Sequence, residues 1–70
     1  MNNKQTIIYN WLVNNPGLHT SNEIALGVGM SEFSVHATLR GLMTNGLVVM
    51  ELMAVEINEM VSMIEGYTVK

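Results

Sequence analysis

The polar side chains with most potential for chemistry lie in one stretch, "SEFSVHATLRGLMTNG", which begins at Ser31. Its only Lys or Arg is Arg40, which could pair with guanine O6 and N7 or hold a phosphate. The hydroxyls of Ser34 and Thr44 and the imidazole of His36 could hydrogen-bond to phosphates or base edges. At helical spacing these residues fall on or beside one face, so the stretch predicts a helix with a polar binding surface.

The same face carries an apolar series. Phe33, Ala37 and Gly41 follow one another at four-residue spacing, which makes a smooth groove that could admit a partner helix or loop. Phe33 and Ala37 could instead touch a thymine methyl group. Phe33 could also fold back over the preceding helix and leave Gly41 without a role, since single exposed apolar residues are common. The stretch therefore supports two hypotheses, DNA recognition and protein binding.

Metal and enzyme sites are not expected. His19 and His36 are the only histidines, and no cysteine or aspartate is present to complete a metal site. The sequence contains no Gly-rich phosphate loop, no nucleophile elbow and no Cys/His pair. The glutamates at positions 51, 56, 59 and 65 have an ordinary explanation as a solvated, charged strand edge. We expect no catalytic residue, no cofactor and no bound metal, and thus a protein that is not an enzyme.

Composition and charge limit both hypotheses. The chain has 70 residues, 49% of them apolar and 13% charged, and its net charge is −3. Non-specific DNA affinity comes from Lys and Arg that neutralise phosphates, so DNA contacts of this acidic chain must be local or built up by oligomers. A chain of this length forms one small domain of marginal stability. Without cysteines, self-association is the usual remaining support, and we expect a homodimer.

A cytoplasmic location with no membrane partner is the simplest expectation. No apolar run approaches the ~18 residues that a membrane span needs. The start, "MNNKQTIIYNW", lacks the long apolar core and small-residue cleavage site of a signal peptide.

The first predicted helix covers about residues 3–14 and ends at "NNPG", because Pro16 disfavours helix at the preceding residue. Apolar residues at helical spacing define its buried face. These are Ile7, Ile8, Trp11 and Leu12. Tyr9 and Val13 fall on the opposite face, either as a solvent-tolerated pair or as a helix–helix contact across a dimer. We favour the dimer contact, because small domains need such support.

Two further helices are predicted over about residues 21–28 and 32–45. Thr20 and Glu23 have the T-x-x-E spacing of a capping box at the start of the second helix. Ser31 is a good N-cap for the third, and Asn45-Gly46 is a typical stop. The buried stripes comprise Ile24, Ala25 and Val28 in the second helix and Val35, Leu39 and Leu42 in the third.

The remaining segment, about residues 47–69, allows two interpretations. A β-hairpin folded about Asn58-Glu59 is favoured by the Val- and Ile-rich ends. Asn-Glu is a weaker turn than Asn-Gly, which leaves room for a longer loop at the tip. The hairpin would pair Val48 with Val69, Met50 with Tyr67, Leu52 with Glu65 and Ala54 with Met63. The alternative is a helix over "EINEMVSMIE", whose apolar residues also fit helical spacing. We favour the hairpin.

From Ile7 to Val48 the sequence combines a first helix that ends at Pro16-Gly17, a short extended strand at Leu18 and the ordered pattern "EIA…GMS…V…L..L…GLV". This combination resembles the winged helix-turn-helix domains of small bacterial and phage transcription regulators. The resemblance implies an α+β fold, a single winged helix-turn-helix domain over residues 1–70 with three helices and a C-terminal β-hairpin wing. In such folds the third helix enters the major groove. The residues that would face DNA or a partner are Ser31, Phe33, Ser34, His36, Ala37, Arg40 and Thr44. A typical wing carries Arg or Lys near its tip, whereas this tip is "VEINEMVSM".

Two hypotheses about function follow. The first is a small winged-helix DNA-binding protein, a transcription regulator acting as a homodimer, with Arg40 as the main contact. The alternative is an acidic winged-helix module that binds a protein of the host transcription or defence machinery. That alternative is motivated by the net negative charge, the Phe33/Ala37/Gly41 face and the Met-rich wing, since five of the seven methionines lie at or after Met43.

Overall fold

A computed structural model describes all 70 residues and has three helices followed by a two-stranded antiparallel hairpin. The elements are α1 (Asn3–Asn14), α2 (Ser21–Val28), α3 (Glu32–Thr44), β1 (Val48–Ile57) and β2 (Met60–Val69). This α+β layout was predicted from the sequence and is confirmed, and it is consistent with a winged helix-turn-helix domain. No helix has both the length and the apolar character needed to cross a membrane.

The hydrophobic core lies where the three helices meet the open end of the hairpin. The side chains that are fully buried are Ile8, Leu12, Ile24, Val35, Leu39 and Leu42. Ala25, Val48 and Tyr67 complete this core. Burial, and then the Glu65 carboxylate, raise the pKa of Tyr67 above its ordinary value of 10.0. The predicted stripes of α2 and α3 therefore pack as expected, with Val28 partly buried at the margin.

The buried face of α1 differs from the expected one at two positions. Ile7 was predicted to be buried but is 43% exposed. Tyr9 was predicted to lie on the outer face beside Val13 but is partly buried against the core. The reason is that the buried arc is centred between Ile8 and Leu12 and is turned toward Tyr9. The expected Tyr9/Val13 dimer pair is therefore not an exposed pair, and Val13 alone is half exposed.

Local hydrogen bonds from side chains and backbone cap the ends of α2 and α3. Thr20 and Glu23 form the predicted capping box of α2, and the Ser31 hydroxyl accepts the backbone N–H of Ser34 at 3.1 Å. At the end of α3, Gly46 adopts a φ of 72°, which is accessible to glycine at little cost. The N–H of Leu47 then donates to the carbonyl of Leu42 at 3.0 Å, as in a Schellman motif. These ends fix the start and stop of the helix that carries the candidate site.

The hairpin forms in the predicted register, with Val48 opposite Val69 and Ala54 opposite Met63. The alternative helix over "EINEMVSMIE" is not formed. The longer loop allowed at the tip is not formed either, since Asn58 (φ 52°) and Glu59 (φ 65°) make a two-residue turn. Positive φ at both central residues is the geometry that matches the twist of the two strands, and Asn tolerates it well. Strand pairing thus overrides the weak turn dipeptide.

The connection between α1 and α2 is tied to the open end of the hairpin. The N–H of His19 donates to the carbonyl of Tyr67 at 3.0 Å, and the N–H of Tyr67 donates to the carbonyl of His19 at 2.8 Å. The extended piece expected at Leu18 is thus a single bridge at His19. Beyond this point the hairpin extends away from the helices, and the molecule measures 41 × 23 × 20 Å along its principal axes.

Candidate functional site: the outer face of the third helix

The orientation of α3 follows from its buried side. Val35, Leu39 and Leu42 are buried in the core, and Thr38 beside them is 9% exposed. The Thr38 hydroxyl donates to the carbonyl of Ser34 at 2.8 Å, so this polar group is satisfied within the helix. The opposite side of α3 consequently faces outward along its whole length.

The structure brings the predicted site residues together on this outer side or at its edges. Ser31, Phe33, His36, Ala37, Arg40 and Thr44 are exposed, and Ser34 is half-buried. We call this surface the α3 face. Its extent was predictable from helical spacing. The hydrogen bonds that its polar side chains already make within the protein were not predictable in this way.

Arg40 is the one cation of the α3 face. It is exposed, and the only carboxylate within 4 Å of a basic side chain is that of Glu23, beside His19, so no carboxylate neutralises the guanidinium. Lys4 and Lys70 lie near the two ends of the chain, outside α3. Glu32 lies in the first turn of α3, where the helix dipole favours a negative charge. Helix α3 therefore carries one positive charge in its middle and one negative charge at its start.

Two polar side chains of the α3 face are engaged with the protein itself. His36 Nε2 lies 3.0 Å from the Ser21 hydroxyl, which links α3 to the first residue of α2. The Thr44 hydroxyl donates to the carbonyl of Arg40 at 2.9 Å. Phosphate oxygens accept hydrogen bonds but do not donate them, so Thr44 offers them no proton in this conformation. His36 and Thr44 thus have a structural role in addition to the binding role predicted for them.

The apolar part of the α3 face is shorter than the sequence suggested. Phe33 is 85% exposed, so it does not fold back over α2. Gly41, by contrast, is half-buried, because the absence of a side chain admits Gln5 of α1. An ideal Cβ on Gly41 would lie 2.7 Å from Gln5 Nε2. The predicted groove of three residues is therefore corrected to an exposed pair, Phe33 and Ala37.

Sequence reasoning missed two features near this surface. Leu26 of α2 is 78% exposed; it lies roughly 200° around the helix from buried Ile24, so helical spacing could have revealed it. The indole of Trp11 lies over Gly27, where an ideal Cβ would come within 2.5 Å of its ring atoms. This close approach sets how α1 packs on α2. No sequence signal distinguishes a glycine that admits a neighbouring ring in this way from one that only weakens a helix.

A polar cluster beside the α1–α2 connection has a structural function. His19 Nε2 donates to the carbonyl of Asn15 at 2.8 Å, and its Nδ1 lies 3.3 Å from Glu23 Oε2. The backbone N–H of Thr20, and then the hydrogen bond with His19, lower the pKa of Glu23 below its ordinary value of 4.5. The ring of Trp11 meets that of His19 edge-on, with centroids 4.9 Å apart. The cluster joins the cap of α2 to α1.

No pocket is formed on the surface, and no group of three or more His, Cys, Asp or Glu side chains could hold a metal ion. No protein-family model matches this sequence, and no curated protein matches it at a significant level. Function must therefore be inferred from the geometry and charge of the chain itself.

Proposed function

We propose that this chain is a small winged-helix DNA-binding protein that regulates transcription as a homodimer, with the α3 face as its DNA-contacting surface. The observation that carries the proposal is the uncovered outer side of α3, with Arg40 exposed and free of any ion pair at its middle. A third helix packed in this way enters the major groove in related architectures. Arg40 would then pair with guanine or hold a phosphate, and Ser34 and Ala37 would lie beside it.

Charge is the reason for a dimer in this proposal. One arginine per protomer supplies little affinity for a polyanion, whereas two protomers on half-sites one helical turn apart supply two. With one cationic contact per protomer, the logarithm of the binding constant falls with the logarithm of salt at a slope of about −2 for the dimer. A slope this shallow distinguishes binding through Arg40 from the many phosphate contacts of a basic domain.

A second candidate function is favoured by Phe33. An aromatic side chain that is 85% exposed on the candidate face is a typical anchor for a protein interface. In this case the chain is an acidic winged-helix module that binds a protein of the host transcription or defence machinery. Phe33 and Ala37 would contact that partner, and Arg40 would lie at the rim of the interface.

One experiment separates the two candidates. Binding of the purified protein to random-sequence duplexes of about 25 base pairs is measured at about 50 and 200 mM salt, followed by selection of a preferred site. At that site Arg40→Ala should cost ~1–3 kcal/mol of binding free energy. Lys4→Ala is the matched control, since it removes the same charge from the start of α1, outside the α3 face.

The outcomes are distinct. DNA binding that Arg40→Ala weakens and Lys4→Ala does not supports the regulator. Absence of binding at the lower salt, or equal losses in both variants, contradicts recognition through α3. The protein-binding module then becomes the better proposal, and Phe33→Ala is the variant that should abolish binding to its partner.

A further inference from the structure

The outer part of the hairpin presents an uncovered apolar face. Buried hairpin residues are confined to its open end, where Val48 is 2% and Tyr67 is 4% exposed. The side chains that follow on the same face are Met50, Leu52, Ala54, Val61 and Met63, with Glu56 and Glu65 among them. We call this surface the ribbon face. Its exposure rises along the strands, from 40% at Met50 to 58% at Leu52 and 70% at Val61.

The opposite face of the hairpin is less exposed along its middle, although Ile57 (54%) and Met60 (71%) near the tip are exposed there. Met53, Val55 and Ile64 are half-buried there, and the thioether of Met53 lies over Gly66. An isolated two-stranded hairpin is marginally stable in water unless a further strand, a helix or another surface covers it. No element of this chain covers the ribbon face, since the helices pack only against the open end. This face is therefore open to a second molecule.

The charges of the hairpin restrict what that molecule is. Between Gly41 and Val69 there is no Lys or Arg, whereas the hairpin carries four of the six glutamates of the chain. DNA and anionic lipid surfaces would be repelled by these carboxylates. Two copies that met through this face would bring four carboxylates, two from Glu56 and two from Glu65, into one interface, which is unfavourable when like charges are desolvated together. A partner segment with apolar side chains flanked by Lys or Arg would complement both the apolar surface and the negative charge of the ribbon face.

We propose that the ribbon face binds a segment of a partner protein in which apolar side chains are flanked by Lys or Arg. The apolar side chains of the segment would pack on Leu52, Val61 and Met63, and its cations would lie against Glu56 and Glu65. Unbranched Met side chains adapt to the shape of such a segment. This surface is separate from the α3 face and makes no use of Arg40.

The test is an NMR titration of the full chain, labelled with ¹⁵N, with three synthetic peptides of equal length. One alternates Lys and Val, one alternates Glu and Val, and one alternates Lys and Ser. The Lys/Val peptide should shift the amide resonances of residues 50–65 and bind at least about tenfold more tightly than either of the others. The Glu/Val peptide tests charge, and the Lys/Ser peptide tests the apolar contact.

Paired variants then locate the contact. Leu52→Thr with Met63→Thr should weaken binding of the Lys/Val peptide about tenfold, because both contacts lie on the ribbon face. Ile57→Thr with Met60→Thr is the matched control, since this pair faces the other side near the tip. It should leave the affinity within about twofold. All four residues are exposed, so the core resonances report whether each variant remains folded.

A second pair of variants tests the charges. Glu56→Gln with Glu65→Gln should weaken binding about fivefold, with the effect reduced by salt, whereas Glu51→Gln on the opposite face should not. Binding of the Glu/Val or Lys/Ser peptide as tight as that of the Lys/Val peptide would overturn the proposal. Absence of binding up to about 1 mM peptide, or equal losses in both threonine pairs, would overturn it too. Dilution-dependent shifts of the ribbon face without peptide would identify a second copy as its occupant instead.

Discussion

Replacing Gly27 by alanine should destabilise the protein, although alanine is the better helix former. In an exposed helix interior this exchange gains about 1 kcal/mol. Here the new Cβ would lie 2.5 Å from Cε2 and Nε1 of Trp11, so the indole must move. The ring is half-buried and meets His19 edge-on, so its movement disturbs both the core and the α1–α2 connection. Overpacking of this kind costs about 1–3 kcal/mol, which leaves a net loss of about 1 kcal/mol.

Gly41→Ala is the matched control, because it makes the same exchange inside α3. Its new Cβ would lie 2.7 Å from Gln5 Nε2, the end of a flexible side chain, and 3.9 Å from the next nearest atom. Gln5 can swing aside, at the expense of the hydrogen bond that its Oε1 accepts from Asn2 N–H at 2.9 Å. That loss and the gain in helix propensity nearly cancel. We expect the stability of this variant to stay within about 0.5 kcal/mol of the wild type.

Urea and thermal unfolding, followed by circular dichroism, measure both variants. A loss of 1 kcal/mol lowers the midpoint temperature by roughly 4–8 °C in a domain of this size. In a Trp11→Leu background, Gly27→Ala should no longer be destabilising, because the ring that it displaces is absent. A Gly27→Ala variant as stable as Gly41→Ala would refute the packing argument, and so would a penalty that persists without the indole.

Two further predictions concern charge and the turn. Because the folded-state pKa of Glu23 is lowered from 4.5, chiefly by the Thr20 backbone N–H and then by His19, its carboxylate stabilises the fold above that pH. This contribution is lost as pH falls through the lowered pKa, so Glu23→Gln should flatten the acid limb of a stability–pH profile; an unchanged limb would contradict this. Glu59 has a φ of 65°, so Glu59→Gly should stabilise the hairpin by about 0.5 kcal/mol. Glu59→Gln removes the same charge without easing the left-handed backbone, so a gain seen in Glu59→Gly but not in Glu59→Gln assigns the effect to backbone strain.

The parts of the fold that could be predicted are those governed by local chemistry. The caps at Thr20 and Ser31 depend on residues three positions apart, and the stop at Asn45-Gly46 depends on a backbone conformation that glycine adopts easily. The register of the hairpin followed from its alternating faces, because a slip by one residue would turn Val48 and Tyr67 away from the core.

Features that depend on packing between elements could not be predicted in the same way. Gly27 and Gly41 are both helix-weakening glycines in the sequence, yet each admits a side chain of α1 in the structure. These contacts place Trp11 against α2 and Gln5 against α3, and Ile7 is exposed while Tyr9 is partly buried, opposite to expectation. Helical spacing was enough to predict which residues form the α3 face. It could not reveal that His36 is hydrogen-bonded to Ser21. That bond depends on the crossing of α2 and α3.

The carboxylates of the hairpin can affect DNA binding at the α3 face, and the salt concentration determines how strongly. Each hairpin strand has ten residues, about 30 Å at 3.3 Å per residue, so the tip lies well beyond the Debye length of ~10 Å from the point where β1 contacts α3. At ordinary ionic strength, repulsion between DNA on α3 and the carboxylates near the tip is therefore largely screened, and Glu32 is the one carboxylate on α3 itself. At low salt the hairpin carboxylates oppose DNA as well, so affinity should rise less on dilution of salt than Arg40 alone would produce. At low salt, a Lys-rich segment bound to the ribbon face would neutralise these charges and strengthen DNA binding. By linkage, DNA would strengthen the binding of that segment by the same factor.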